Sequence, residues 1–125
     1  MTAARILCVD DDPKINELNQ VVLTRAGYEV EIATSPQEAL ERFQSGGFDL
    51  IITDLFSNGS SDADFIARLR AINASVPVLV VSGHHTPPPE VLKQVNGFVQ
   101  KAYSLNALKD SVREVLMHEK LRRIG

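Results

Sequence analysis

Phe48-Asp49-Leu50-Ile51-Ile52-Thr53-Asp54-Leu55 carries a continuous apolar run at its centre and one carboxylate, Asp54, near its end. Such a run reads as a strand buried on both faces, as at the centre of a parallel sheet. Open α/β folds gather their ligands beyond the carboxyl ends of these strands. Asp54 is therefore either a residue that starts a turn or the centre of a site. The segments on either side decide between the two.

Upstream, Arg5-Ile6-Leu7-Cys8-Val9 is another apolar run, and it stops at Asp10-Asp11-Asp12-Pro13. Asp12 fits a helix N-cap and Pro13 the first helical position. The helix that follows is predicted to turn Ile15, Leu18, Val22 and Ala26 inward and to end at Gly27. Tyr28-Glu29-Val30-Glu31-Ile32-Ala33 alternates apolar and polar residues, as a half-exposed strand does. Ser35-Pro36-Gln37-Glu38 is a capping-box signature, and its helix carries Ala39, Leu40 and Phe43 before Gly46-Gly47.

Downstream, Asn58-Gly59 supplies turn chemistry. Ser61 and Asp64 read as a second capping pair, opening a helix whose inner face is Phe65, Ile66, Leu69 and Ile72. Pro77-Val78-Leu79-Val80-Val81 is a further apolar strand ending at Ser82-Gly83. His84-His85-Thr86 and three prolines follow, and only Pro89 is placed to open a helix, because a residue before proline is biased from helical angles. That helix is short, over residues 90–95. Gly97-Phe98-Val99-Gln100 is the fifth strand, followed by Lys101, and Ser104 can cap a last helix with Leu105, Leu108, Val112, Val115 and Leu116 on one face.

Five strands alternating with five helices imply one α/β domain over residues 1–125, a five-stranded parallel sheet with helices on both faces. Right-handed crossovers send every strand's carboxyl end to one edge. Asp10 and Asp11, Asp54, Ser82 and Lys101 then meet there. Carboxylates about 4 Å apart repel by roughly 4 kcal/mol at an effective dielectric near 20. Such a cluster calls for a cation or for raised pKa values, and a few hard oxygen ligands suit Mg²⁺ (or Mn²⁺). Singly, each residue has a plainer reading: Asp12 as a cap, Asp10 and Ser82 as turn residues, Lys101 as a solvated lysine. Jointly those readings fail, because all of these residues except the capping Asp12 end apolar strands on the same edge.

The chain has 125 residues, 44% hydrophobic and 23% charged, with a formal net charge of -3. No long basic run occurs, which argues against direct nucleic-acid binding. The single cysteine, Cys8, excludes an internal disulfide and reads as a small buried thiol. No apolar segment is long enough for membrane insertion and no signal-peptide core opens the chain, so a cytoplasmic protein is expected.

The ordered set Val9-Asp10-Asp11-Asp12-Pro13, Asp49 to Leu55, Val80-Val81-Ser82-Gly83 and Gly97-Phe98-Val99-Gln100-Lys101 resembles the receiver domain of bacterial two-component response regulators, over nearly the whole chain. The resemblance implies a CheY-like (βα)5 fold of the flavodoxin-like type. It implies that Asp54 accepts a phosphoryl group from a partner phosphohistidine on a sensor histidine kinase or histidine phosphotransfer protein. Asp11, Asp54 and the backbone carbonyl of Phe56 would bind Mg²⁺ directly, and Asp10 mostly through a metal-bound water. Ser82 and Lys101 would hold phosphoryl oxygens, and Phe98 would be the aromatic switch. Phe56 and His84, each two residues past a site residue, would shade the phosphoryl group and tune its lifetime. Taken alone, adjacent histidines such as His84-His85 are more often merely solvated.

Output would pass through the face made by the short helix over 90–95, the fifth strand and the last helix, to a downstream protein target or by self-association. No effector domain follows in this sequence, so contact with a protein is the expected output, either of a stand-alone regulator or of a domain cut from a larger protein. The chain departs from the family pattern at Asn58 and Asp62, where proline and glycine are usual, at Ala102, where proline after a cis bond is usual, and in the short segment from Ser82 to Lys101.

Such a module signals and is not a turnover enzyme. Two other classes compete. One is a receiver-like interaction module that is never phosphorylated, motivated by the shortened segment after Ser82. The other is a phosphatase with an aspartate nucleophile in an Asp-x-Asp pair, nominally Asp10 and Asp12. Against the latter, Asp12 is used as a cap, and no insertion is present to bind substrate.

Overall fold

The computed structural model describes residues 3–54, 60–82, 89–100 and 105–124. In chain order the elements are β1 (Arg5–Val9), α1 (Pro13–Arg25), β2 (Glu29–Ala33), α2 (Pro36–Gln44), β3 (Leu50–Asp54), α3 (Ser60–Ile72), β4 (Val78–Ser82), α4 (Pro89–Leu92), β5 (Gly97–Gln100) and α5 (Leu105–Ile124). The strands form one sheet in the order β2-β1-β3-β4-β5, and every pairing is parallel. The chain steps outward from β1 to β2, then returns to the other side of β1 for β3, β4 and β5. The reversal falls between β1 and β3.

Alternation along the central strands divides the core in two. Leu7, Val9, Ile51, Val78 and Val80 pack with Phe43, Phe65, Ile66, Leu69 and Val91, on the side of α2, α3 and α4. Ile6, Cys8, Leu50, Ile52, Leu79 and Val81 pack with Leu23, Leu108 and Val112, on the side of α1 and α5. The continuous apolar runs are thus strands covered on both faces.

The helix ends follow local chemistry. Asp12 caps α1 by accepting from the Lys14 amide at 2.9 Å, and Ser35 caps α2 by accepting from the Glu38 amide at 3.1 Å. At the end of α1 the Gly27 and Tyr28 amides donate to the Thr24 and Leu23 carbonyls at 3.0 and 3.1 Å. That double closure needs a left-handed residue, supplied by Gly27 at φ 103°. Tyr28 is committed to this cap, so β2 begins at Glu29 rather than at Tyr28. The start of β3 is tied to β1: the Arg5 amide donates to Asp49 Oδ2 at 2.8 Å, and its guanidinium lies 4.7 Å from the centroid of the Phe48 ring. On the other flank, Arg70 of α3 donates to the Gln94 carbonyl at 2.7 Å and to Asn96 Oδ1 at 2.9 Å, fixing the entry to β5.

Four further expectations are corrected. In α1 the buried residues are Asn16, Asn19 and Leu23, whereas Leu18 is 44% exposed and Ala26 is exposed. The stripe is rotated because Asn16 finds buried backbone partners, which an apolar-pattern reading does not credit. Ile72, in the last turn of α3, is 40% exposed. Ser61 lies inside α3, which begins at Ser60, so Ser61 is not its N-cap. The helix expected over 90–95 stops at Leu92, where the Lys93 and Gln94 amides donate to the Pro89 and Val91 carbonyls in a closing turn.

Candidate functional site

The reversal between β1 and β3 falls at the carboxyl edge of the sheet, the place where such sheets take ligands. The register fills it with acids. Val9 pairs with Thr53, so Asp10 follows one step beyond on β1 as Asp54 does on β3. Asp10 is held by its backbone, its amide donating to the Ala33 carbonyl at 3.1 Å. Its carboxylate accepts from the Asp12 amide at 2.9 Å, and the residue as a whole is only 3% exposed. Asp11 is exposed and Asp54 half-buried. Asp10, Asp11 and Asp54 each bring a carboxylate oxygen within 4.8 Å of the others.

Three carboxylates so close create a strongly negative point. Cys8, just before Asp10 on β1, registers part of it: burial first, and then the Asp10 charge, push its thiol up to about 12. The donor set fits a small hard divalent cation, since the oxygens converge from two strands and one remains open to solvent. Mg²⁺ satisfies this with few protein ligands and retained waters.

The remaining predicted residues divide. Asp54 pairs with Val81, so Ser82 at the end of β4 stands one step further along the same edge, beside Gln100 of β5. Phe98 lies within β5, half-buried against the core on the α3 and α4 side. Phe56, His84 and Lys101 lie outside the described residues, as do Asn58 and Ala102. Asp62 falls in the first turn of α3.

Sequence reasoning missed Asn16, whose side chain reaches the backbone of Asp10. The available signal was a polar residue on the stripe that faces the sheet, six positions after Asp10. A groove of about 720 Å³ lies elsewhere, between the start of β5 and the last turns of α5, lined by Leu79, Gly97, Val115, Met117 and Leu121. It contains none of the clustered acids.

The model of the response regulator receiver domain matches residues 6–113. The chain belongs to the receiver domain family. This receiver domain is 31% identical over 114 residues to the sensory transduction protein RegX3 of Mycobacterium tuberculosis, covering 89% of the chain and 50% of RegX3. It is 29% identical over 125 residues to the DNA-binding transcriptional regulator NtrC of Rhizobium meliloti, covering 98% of the chain and 26% of NtrC. The chain therefore spans about half or less of the length of these relatives. Among solved structures it is similar to the response regulator TrrA of Thermotoga maritima in complex with Mg²⁺ and BeF, with 30% identity, a TM-score of 0.80, and coverage of 90% of this chain and 98% of that one. As a receiver domain, the chain is a signalling module of the two-component type. Among the described residues, no helix is long and apolar enough to cross a membrane.

Proposed function

We propose that Asp54 is the phospho-acceptor and that Asp10, Asp11 and Asp54, with the Phe56 carbonyl, hold the divalent cation, Mg²⁺ or Mn²⁺. The observation that carries this reading is the convergence of three carboxylate oxygens within 4.8 Å at the switch point of the sheet. The bound cation would supply charge neutralisation for the phosphoryl oxygens. Asp54 ends a strand buried between two helical layers, so its carboxylate is presented from a rigid support. An Asp54 oxygen forms a bond to phosphorus as the bond from phosphorus to the partner's histidine nitrogen breaks, and the imidazole leaves with a proton. Ser82 donates to one phosphoryl oxygen and Lys101 balances the charge of another. Phe98 responds to the movement of Ser82, and Phe56 and His84 limit access of water to the acyl phosphate.

The donor is a sensor histidine kinase or a histidine phosphotransfer protein in the cytoplasm. The output is a change in the face built from α4, β5 and α5, read by a protein target or a second copy. The short α4, of four residues, favours a second reading in which this face serves an unphosphorylated interaction module.

One experiment separates the two. The chain is incubated with acetyl phosphate and Mg²⁺ and weighed by intact mass spectrometry. The first reading expects a gain of one phosphoryl group that Asp54→Asn abolishes. No gain in the native chain would support the second.

A further inference from the structure

We propose that Asn16 is a positioning residue: its buried amide fixes the peptide between Asp10 and Asp11 and so sets how their carboxylates meet a divalent cation. The inference rests on the reading of these aspartates as metal ligands. Asn16 is fully buried on the sheet-facing side of α1. Its Nδ2 donates to the Asp10 carbonyl at 2.8 Å and to the Ala33 carbonyl at 2.9 Å. Both partners only accept, so the nitrogen must face them and the amide orientation is settled by chemistry. The Oδ1 atom is buried and has no hydrogen-bond partner among the described residues. A leucine would remove that unmatched acceptor, but also the donor that serves the buried Asp10 and Ala33 carbonyls. One of those two carbonyls lies in the acidic turn itself.

The two bonds act on the site directly. The Asp10 carbonyl belongs to the planar unit that joins Asp10 to Asp11. Holding its oxygen limits the rotations on both sides of that unit, and these set the directions in which the two side chains leave the backbone. The turn is closed from its other end as well, where the Asn16 amide donates to the Asp12 carbonyl at 3.2 Å and the Asp12 amide donates to Asp10 Oδ1 at 2.9 Å. One side chain thus ties the carboxyl ends of β1 and β2 to α1, beneath a pair of adjacent acids whose exposures differ widely. Groups that orient metal ligands in this way typically carry about 10–100-fold in metal affinity.

The test measures the Mg²⁺ dissociation constant by isothermal titration calorimetry for the native chain, Asn16→Leu and Asn16→Ala. Circular dichroism sets a temperature at which each is folded, and melting is recorded without metal. The native chain is expected to bind Mg²⁺, and both variants to bind it about tenfold more weakly. Both variants are expected to melt below the native chain, since each loses the donor to two buried carbonyls, and the affinity of the folded protein is the deciding measurement. A purely structural role would move melting and leave the affinity of the folded protein unchanged. An affinity within about twofold of native in either folded variant, well below the effect of an orienting group, overturns the proposal. Failure of both variants to fold overturns it too, by making Asn16 a folding determinant. Absence of Mg²⁺ binding in the native chain defeats the reading of the aspartates themselves, a result distinct from unchanged variants.

Discussion

Asp10 and Asp11 are neighbours with opposite surroundings. Asp10 is 3% exposed and bound to the Asp12 amide, while Asp11 stands in solvent, yet both reach the same cluster with Asp54. The two belong to the turn after β1, where the Asp12 amide holds the Asp10 carboxylate inward. Cys8 lies one pleat earlier on the same side as Asp10 and feels its charge. Its thiol is raised from 9.0 to about 12, so the folded protein keeps the proton that the unfolded chain releases above pH 9. The contribution to stability is whole below pH 9 and is lost as pH rises from there toward 12. Urea unfolding of the native chain and Cys8→Ala between pH 8 and pH 10.5 should show their difference narrowing by up to about 1.4 kcal/mol per pH unit above 9. A difference that stays flat with pH would refute the buried neutral thiol. At pH 8 the folded thiol should resist a thiol reagent that reacts at once in denaturant.

At the scale of elements, α1 is the helix whose pattern and packing disagree. Leu18 matches the apolar spacing but is 44% exposed, whereas Leu23 is fully buried against the sheet. Leu23→Ala should cost about 2–5 kcal/mol through lost contacts and a residual cavity. Leu18→Ala should cost under about 0.5 kcal/mol, as for surface positions. Denaturant midpoints at constant slope would measure both, and equal costs would contradict the assigned inner face. On the far flank, α4 is held at four residues by its closing turn and by the Arg70 clamp on the Gln94 carbonyl and Asn96. The face that it shares with β5 and α5 is correspondingly small on the α4 side.

For the whole molecule, the site sets three carboxylates against one another on a sheet that cannot spread them. Without a cation this repulsion is built into the folded state, discounted by the exposure of Asp11. A ligand that binds only the folded state stabilises it by mass action. Mg²⁺ at about one hundred times its dissociation constant should raise unfolding stability by about 2.7 kcal/mol. Asp11→Asn should melt at or above the native temperature without Mg²⁺ and gain little when Mg²⁺ is added. Thermal melts with and without the metal would show this, and an undiminished Mg²⁺ response in Asp11→Asn would remove it from the ligand set.

The apolar runs at residues 5–9, 50–54 and 77–81 and the capping residues Asp12 and Ser35 determined the strands, the parallel sheet and the acids at its edge. These signals are legible because burial on two faces and orphan helix amides leave local marks in the residue order. The tertiary structure alone decided which side of α1 faces the sheet. It also decided that Asn16 lies beneath the acidic turn after β1 and that Ser61 and Ile72 do not play their expected parts. For Asn16 the outcome depends on a partner in another element, the Ala33 carbonyl of β2. A buried amide bonded to two distant carbonyls has no periodicity to betray it.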